Sequence, residues 1–524
     1  MQNFGIYINI YNQTKGRKSM KRKVIAALLA ATMVFGTVGC GGNTNQNNTP
    51  ETTSNEAGTT ENKDNASEAG SEAAGSEAAG TEETTGGEET GEDGYTVQID
   101  PTTGEPYDLG GMEVIIADWW SSDSEEEEEE LSAYDEAHDA YIEWMQETYN
   151  FTIKSQAVTS WEDVPENFVN YATSGGDENY LFVLYPGSAT MSAMNSGLMY
   201  DLAKIDCLDF TDEKWLDVVT DVMSEGDAIY GMRADIHEPS AGIYFNKRLL
   251  EEAGVNPEDL YELQRNKEWT WDKFEELCKQ VQADTDNDGV IDRYAMANFT
   301  SRFYPAAVFS NGGQFIGRDE NGVYYNDLES DATMEALNWA LDMLDKYEMV
   351  YPADAAWDYC FTAFKNGEAV FEVGEVYQAG SDFSGMEDEF GFLCFPMGPR
   401  VDGYRNYSSD NIYVIPSCYD DEKARKIAIA YNLYTSPVPG YEDYESWQFD
   451  YDYYSTFRDM EAVEETLPLM VESGMPQYQN AITGIDMGPD LFWTISKDNT
   501  PAQAAEAIRN TWQSYLDERN GLNK

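Results

Sequence analysis

Residues 284–292 read DTDNDGVID: three aspartates at alternate positions, a glycine, and a fourth aspartate. Carboxylates alternating before a glycine open an EF-hand calcium loop, where hard oxygen ligands surround the ion and the glycine makes the sharp turn. Asp284, Asp286, Asp288, the Val290 carbonyl and Asp292 are the candidate ligands, with Gly289 at the turn. Position twelve carries a bidentate Glu in calcium sensors, but here it is Ala295. The ligand that couples calcium to helix opening is missing. The expectation is a structural Ca2+ that staples a lobe, and the alternative is an ion-free, solvated acidic turn.

Other chemistry is thinly supplied. The two histidines, His138 and His237, lie far apart and pair with no Cys or Ser at a spacing that suggests nucleophile and base. Neither a GxSxG elbow nor a Walker A loop occurs. Glycoside hydrolysis asks only for two carboxylates, and 98 acidic residues leave it open. Against them stand 32 Lys and Arg, a formal net charge of −66. Phosphate backbones need a basic surface, so nucleic acid is excluded as a partner. Such charge favours a soluble monomer. Cys207, Cys278, Cys360, Cys394 and Cys418 show no short spacing, which argues against a disulfide framework or zinc site and for buried thiols. Aromatic residues make up 13% of the chain, with 35 Tyr and 12 Trp. That suits a cleft for sugars, whose C–H faces stack on rings while Asp, Asn, Glu or Arg read the hydroxyl rim.

A chain of 524 residues exceeds what one core usually holds, so two or more lobes are expected. In GGMEVIIADWW, residues 112–117 form an apolar run after two glycines, a buried strand. The acidic run 125–130 leads into a helix ending near Tyr149, and FTIKSQAV and YLFVLYP are the next strands. Strands alternating with helices imply an α/β fold with a mostly parallel sheet. Ligands bind at the carboxyl ends of such strands. Trp119 and Trp120 are therefore the first candidates, one facing ligand and one in the core, and Tyr185 and Ser188 follow the strand LFVLY. Asn256 with Pro257, Thr270, and Thr500 with Gln503 are placed to cap helices. The Thr270 helix puts Trp271, Phe274, Leu277, Cys278 and Val281 on one face.

The stretch IYFNKRLLEEAGV…WTWDKFEELCKQV resembles the signature of family 1 extracellular solute-binding proteins, the sugar receptors of ABC importers. FSNGGQF, AFKNGEAVFEVGEVY, GFLCFPMGP and NIYVIPS follow in the family's order, so the resemblance spans about residues 111–520. It implies a two-lobe, periplasmic-binding-protein-like (type II) α/β fold, with the ligand in a cleft that closes by hinge bending. One lobe would hold 111–237 and about 411–450, the other 243–403 and 451–524. The crossings are expected near HEPSAG and YRNYSSD. The resemblance further points to Glu238 at the first crossing, Arg302, Phe303 and Tyr304 before NGG, Glu375 and Tyr377 after AVFEVG, and Asp410 and Asn411 at the return crossing. Receptors of this kind commonly carry Trp at the position after AVFEVG that Glu375 and Tyr377 occupy here. Some also carry an Asp loop after this helix with structural calcium, certain of them with an acid where this chain has Arg293. The implied function is capture of an extracellular oligosaccharide for the permease subunits of an ABC transporter. A surface glycoside hydrolase, a carbohydrate adhesin and a peptide ligand are the alternatives.

The N-terminus fits that location. KRK after Met20, an apolar run over 24–39 and Cys40 read as a secretory signal within residues 1–40. GTVGC resembles a bacterial lipobox, with Thr37 where Leu is usual, and implies lipidation of Cys40; an uncleaved membrane anchor is the alternative. Residues 41–94, with the repeat SEAAGSEAAG, lack the apolar side chains to build a core and read as an acidic tether to the globular residues 95–524. The expectation is a lipoprotein on the extracellular face of the membrane of a Gram-positive bacterium.

Overall fold

The computed structural model describes residues 89–90, 95–121, 133–234, 239–408, 410–441 and 456–522. Cys40, the signal, the tether up to residue 88, the acidic run 125–130 and Glu238 lie outside them; Glu89–Thr90, expected within the tether, instead pairs antiparallel with Thr96–Val97. Among the described residues, no helix is long and apolar enough to cross a membrane.

The strands that frame the site are β1 (Met112–Asp118), β2 (Phe151–Ala157), β3 (Tyr180–Leu184), β4 (Pro239–Ser240), β5 (Gly242–Asn246), β6 (Tyr294–Met296), β7 (Ala369–Gly374), β8 (Phe390–Leu393), β9 (Asn406–Ser408), β10 (Ile412–Val414) and β11 (Gly474–Met475). The helices are α1 (Ala133–Thr148), α2 (Ser188–Asn195), α3 (Trp271–Val281), α4 (Thr300–Ser310), α5 (Asp331–Tyr347), α6 (Asp421–Tyr434) and α7 (Pro501–Arg519).

Two sheets make two lobes. The first has the order β10-β3-β1-β2, with β1 parallel to β2 and β3, and β10 antiparallel to β3. Gly110 and Gly111, at φ +70° and +75°, turn the chain into β1, a conformation open to glycine at no steric cost. Helix α1 buries His138, Tyr141, Ile142 and Met145 against this sheet, and burial pushes His138 down to about 4, so it is neutral. The second sheet has the order β6-β7-β5-β8. Every residue of β5, β7 and β8 is buried, as near-continuous apolar runs covered on both faces require.

Helix α3 begins where Thr270 accepts a hydrogen bond from Lys273 N–H, and all five residues of its apolar face are buried. Trp271 stacks on Trp339 of α5 at 4.2 Å and 6°. Thr500 and Gln503 form the expected capping box of α7. Asn256 departs from expectation: its amide donates to Asp259, and the helix after Pro257 starts at Glu258 without a side-chain cap.

A third, short sheet of order β11-β9-β4 lies at the crossings. β4 runs antiparallel to β9, Tyr407 opposite Ser240, and β11 runs parallel to β9. Ala241, between β4 and β5, is buried at φ +65°. A non-glycine residue there is strained by about 1 kcal/mol or more.

Residues before β1 are fastened to the first lobe. The Tyr95 ring lies 5.1 Å from Tyr141 and 4.9 Å from Trp144. Asp100 receives Arg425 of α6 at 2.9 Å, and Tyr149 O accepts Leu109 N–H at 2.9 Å.

Candidate functional site

In the first lobe the site grows from the carboxyl end of β1. Asp118, fully buried, closes the turn by accepting Trp120 N–H at 3.1 Å and Ser121 N–H at 3.0 Å. Burial raises its carboxyl above the usual range, with these hydrogen bonds and that of the Ser121 hydroxyl pulling the other way. The turn holds Trp119 and Trp120 edge to face at 4.6 Å. Both are half-buried, so neither is a pure core residue. Trp119 also meets the edge of Tyr185 at 6.1 Å. Trp161, in the loop after β2, stacks on Tyr185 at 5.1 Å and 26° and stays 48% exposed. Sequence reasoning missed Trp161, although the strand-end rule that found Trp119 applies equally to the loop after β2.

In the second lobe the centre is Arg302, in the first turn of α4. Its guanidinium donates to Gln378 Oε1 at 2.6 Å, Glu375 Oε2 at 2.8 Å and the Tyr377 hydroxyl at 2.8 Å. It lies over Phe361 at 5.0 Å and Phe299 at 5.9 Å. Burial disfavours its charge, but Glu375 and its other neighbours outweigh that and hold it firmly protonated. Glu375 and Gln378 also cap the turn after β7, so one tight turn delivers three of Arg302's partners. Trp357, 59% exposed, packs at 5.4 Å on Phe299. Trp493, 65% exposed, donates its indole N–H to the Ser301 hydroxyl at 3.2 Å. Neither tryptophan follows a strand of the sheet, and no sequence signal marked them.

Phe303 and Tyr304 are corrections. They are 0% and 2% exposed. Phe303 lies parallel to Trp339 at 5.9 Å, and Tyr304 stacks on Phe492 at 5.8 Å. Consecutive helix residues do not share a face, so a helix that turns Arg302 to the site turns the next two side chains into the core.

Within electrostatic reach of Arg302 is Glu372 of β7, fully buried, with no hydrogen-bond partner for either carboxylate oxygen among the described residues. Burial pushes its pKa well above the usual range, against the pull of Arg302. Glu348 nearby is pushed up to about 7 by burial, against hydrogen bonds from Tyr351 and Asn298.

The hinge strands join the two clusters. Ser240 of β4 donates to Glu375 Oε1 at 3.4 Å, and Tyr244 of β5 donates to Glu375 O at 2.9 Å. Asp410 is buried and lies 3.8 Å from Arg233. Asn411, also buried, precedes Ile412, which pairs with Leu184; one step further, the register sets Asn411 level with Tyr185. Ser188 is half-buried at the start of α2, and its hydroxyl accepts Gly484 N–H at 2.8 Å. A cavity of about 30 Å³ lies beside this crossing, lined in part by Pro186, Val219, Ser408 and Asp410. It has room for a water rather than a sugar. The structure thus brings Trp119, Trp120 and Tyr185 together in one lobe, and Arg302, Glu375 and Tyr377 in the other, with Asp410 and Asn411 at the crossing.

The aspartate loop is a separate feature. Ligand oxygens of Asp284, Asp286 and Asp292 lie within 4.8 Å of one another. Gly289, at φ +94°, donates its N–H to Asp284 at 2.8 Å, and Thr285 N–H donates to Asp292 at 2.7 Å. Asp288 stands outside the trio, accepting Val290 N–H at 2.8 Å. Arg293 turns away, donating to Val281 O at 2.7 Å, so its charge does not fill the loop. Three carboxylates clustered around a tight turn fit a hard divalent cation.

The sequence matches the family model of the bacterial extracellular solute-binding proteins over residues 126–431, more than half of its 524 residues. The chain belongs to this family. As a solute-binding protein it shares its two-lobed fold with solved structures of low identity. The GacH receptor of Streptomyces glaucescens GLA.O, solved unliganded and with acarbose, is 15% identical, with a TM-score of 0.50 over 78% of this chain and 99% of that one. An ABC transporter associated binding protein from B. animalis subsp. lactis Bl-04, in complex with β-1,6-galactobiose, is 12% identical, with a TM-score of 0.51 over 78% and 98%. UgpB from Mycobacterium tuberculosis, in complex with glycerophosphocholine, is 16% identical, with a TM-score of 0.51 over 73% and 95%. No curated protein matches the sequence.

Proposed function

We propose that this solute-binding protein captures an extracellular oligosaccharide and hands it to the permease subunits of an ABC importer. The observation that carries the reading is a set of uncovered aromatic faces in both lobes: Trp161 on Tyr185 in one, Trp357 on Phe299 and Trp493 on Ser301 in the other. Large apolar side chains left open in this way mark a surface that something else covers. A pyranose does so well, because its C–H faces stack on indole and its hydroxyls bond to carboxylates and amides. Hinge closure would complete the enclosure. Relatives of the same fold were solved with acarbose and with β-1,6-galactobiose; the one solved with glycerophosphocholine makes the aromatic surface, rather than the fold, the support for a sugar.

Isothermal titration with neutral oligosaccharides tests this. Saturable heat with the sugar recovered unchanged is expected. Released product would mean a glycoside hydrolase, preference for polymer an adhesin, and heat only with peptides a peptide receptor. The protein acts as a monomer, held by a lipid on Cys40 at the outer face of the membrane of a Gram-positive bacterium, after cleavage of the signal in residues 1–40. Loss of fatty-acid labelling in Cys40→Ala, with release into the medium, is the expected result. Ca2+ is held by Asp284, Asp286 and Asp292 as a staple within the second lobe, away from the solute.

A further inference from the structure

We infer that the cleft selects uncharged saccharides and rejects those carrying a carboxylate or phosphate, because Arg302 serves as the counter-ion of the protein's own acids. This rests on the carbohydrate reading above and narrows it.

A guanidinium at a binding surface is usually the receptor for an anionic group, because its fork of N–H donors matches carboxylate and phosphate geometry. Arg302 is already engaged in that way. Glu375 takes one N–H at 2.8 Å, and the Tyr377 hydroxyl and Gln378 take two more. The side chain is largely buried, and Phe361 and Phe299 lie against the guanidinium. Glu372 and Asp382 are close enough for its charge to oppose the rise that burial imposes on each. The guanidinium is thus already engaged by the protein's own groups. On the other side of the hinge, Arg233 is paired with Asp410. An incoming carboxylate would have to displace Glu375 and then sit within a few ångströms of it. Two like charges at such range in a partly desolvated site cost on the order of a hundredfold in affinity. The formal charge of −66 opposes anion approach in the same direction. Neutral hydroxyls meet no such barrier, and Glu375 can accept from them while it holds Arg302.

The test is isothermal titration of the full chain at low salt with matched probes: xylotriose against xylotriose bearing a glucuronate branch, galactobiose against digalacturonate, and maltose against maltose phosphate. The expected result is binding of at least one neutral member, with its charged counterpart at least about thirtyfold weaker. In Glu375→Gln, which leaves Arg302 without its ion-pair partner, the gap should shrink at least about fivefold. A charged counterpart that binds as tightly as its neutral partner overturns the inference and leaves the carbohydrate reading standing. A gap that Glu375→Gln does not move, in a variant that melts as the wild type does, also overturns it. If no probe of either kind binds, the carbohydrate reading fails and this inference falls with it.

Discussion

Replacing Glu372 by Gln should change how stability depends on pH more than it changes the structure. Glu372 is fully buried, and its carboxyl oxygens meet no donor among the described residues. Burial lifts its pKa well above 4.5, against the pull of Arg302 and with the help of Asp382, Glu375 and Glu348. The folded protein thus keeps a proton that the unfolded chain releases above about pH 4.5. With the folded value above the unfolded one, the wild type loses stability through this group as pH rises from the unfolded pKa towards the folded one. One retained proton corresponds to about 1.4 kcal/mol per pH unit. Over the interval between the two pKa values the wild type therefore loses stability that the glutamine variant keeps. Gln has the same shape as the neutral acid and leaves a pH-independent offset of about 1 kcal/mol. Urea unfolding followed by tryptophan fluorescence at pH 5, 6 and 7 reads the difference. The stability of Glu372→Gln relative to wild type should climb with pH. A difference that stays constant, or falls as pH rises, would mean that burial does not hold the proton on Glu372.

Other consequences are as direct. Trp161→Ala should weaken oligosaccharide binding about tenfold or more by titration while shifting the melting temperature little, because the ring is half exposed. Phe303→Ala should cost about 3–5 kcal/mol in urea unfolding, since the ring is fully buried against Trp339 and Phe395; a cost under about 1 kcal/mol would return Phe303 to the site. Calcium at a hundred times its dissociation constant should stabilise the chain by about 2.7 kcal/mol and leave solute affinity unchanged. Asp292→Asn should abolish that gain, and chelation that removed binding without lowering stability would contradict the staple. Against burial, which raises it, Arg425 together with Thr102 holds the Asp100 carboxyl at about 2 rather than 3.8, and Arg425→Met removes the larger of these two partners. The pair's contribution is present above pH 3.8 and lost as pH falls through about 2, so the variant should be weaker by about 1–2 kcal/mol at neutral pH after allowance for screening. The deficit should shrink in acid.

What could be read from the sequence follows from how far each signal is local. The apolar runs of β1, β2 and β3 and the face of α3 were legible because burial on one or both sides leaves a period in the residues themselves. Trp119 and Tyr185 followed from a rule about strand ends. Phe303 and Tyr304 were misplaced because neighbouring residues on a helix point different ways, and only the packing of α5 decides which of three successive side chains faces out. Trp357 and Trp493 come from segments with no period, brought to Phe299 and Ser301 by the tertiary fold. Glu372 was hidden for another reason. It occupies an ordinary strand position in AVFEVG, and nothing along the chain tells an exposed edge carboxylate from one sealed away from water.

Residues 95–109 give the molecule a mechanical asymmetry. They are fastened by the Tyr95 rings to α1, by Leu109 to Tyr149, and by Asp100 to Arg425 of α6, all within the lobe of the first sheet. A pull arriving at residue 95 is borne by that lobe and does not cross the β11-β9-β4 sheet. A load applied at residue 95 therefore enters the molecule on one side of that three-stranded sheet only.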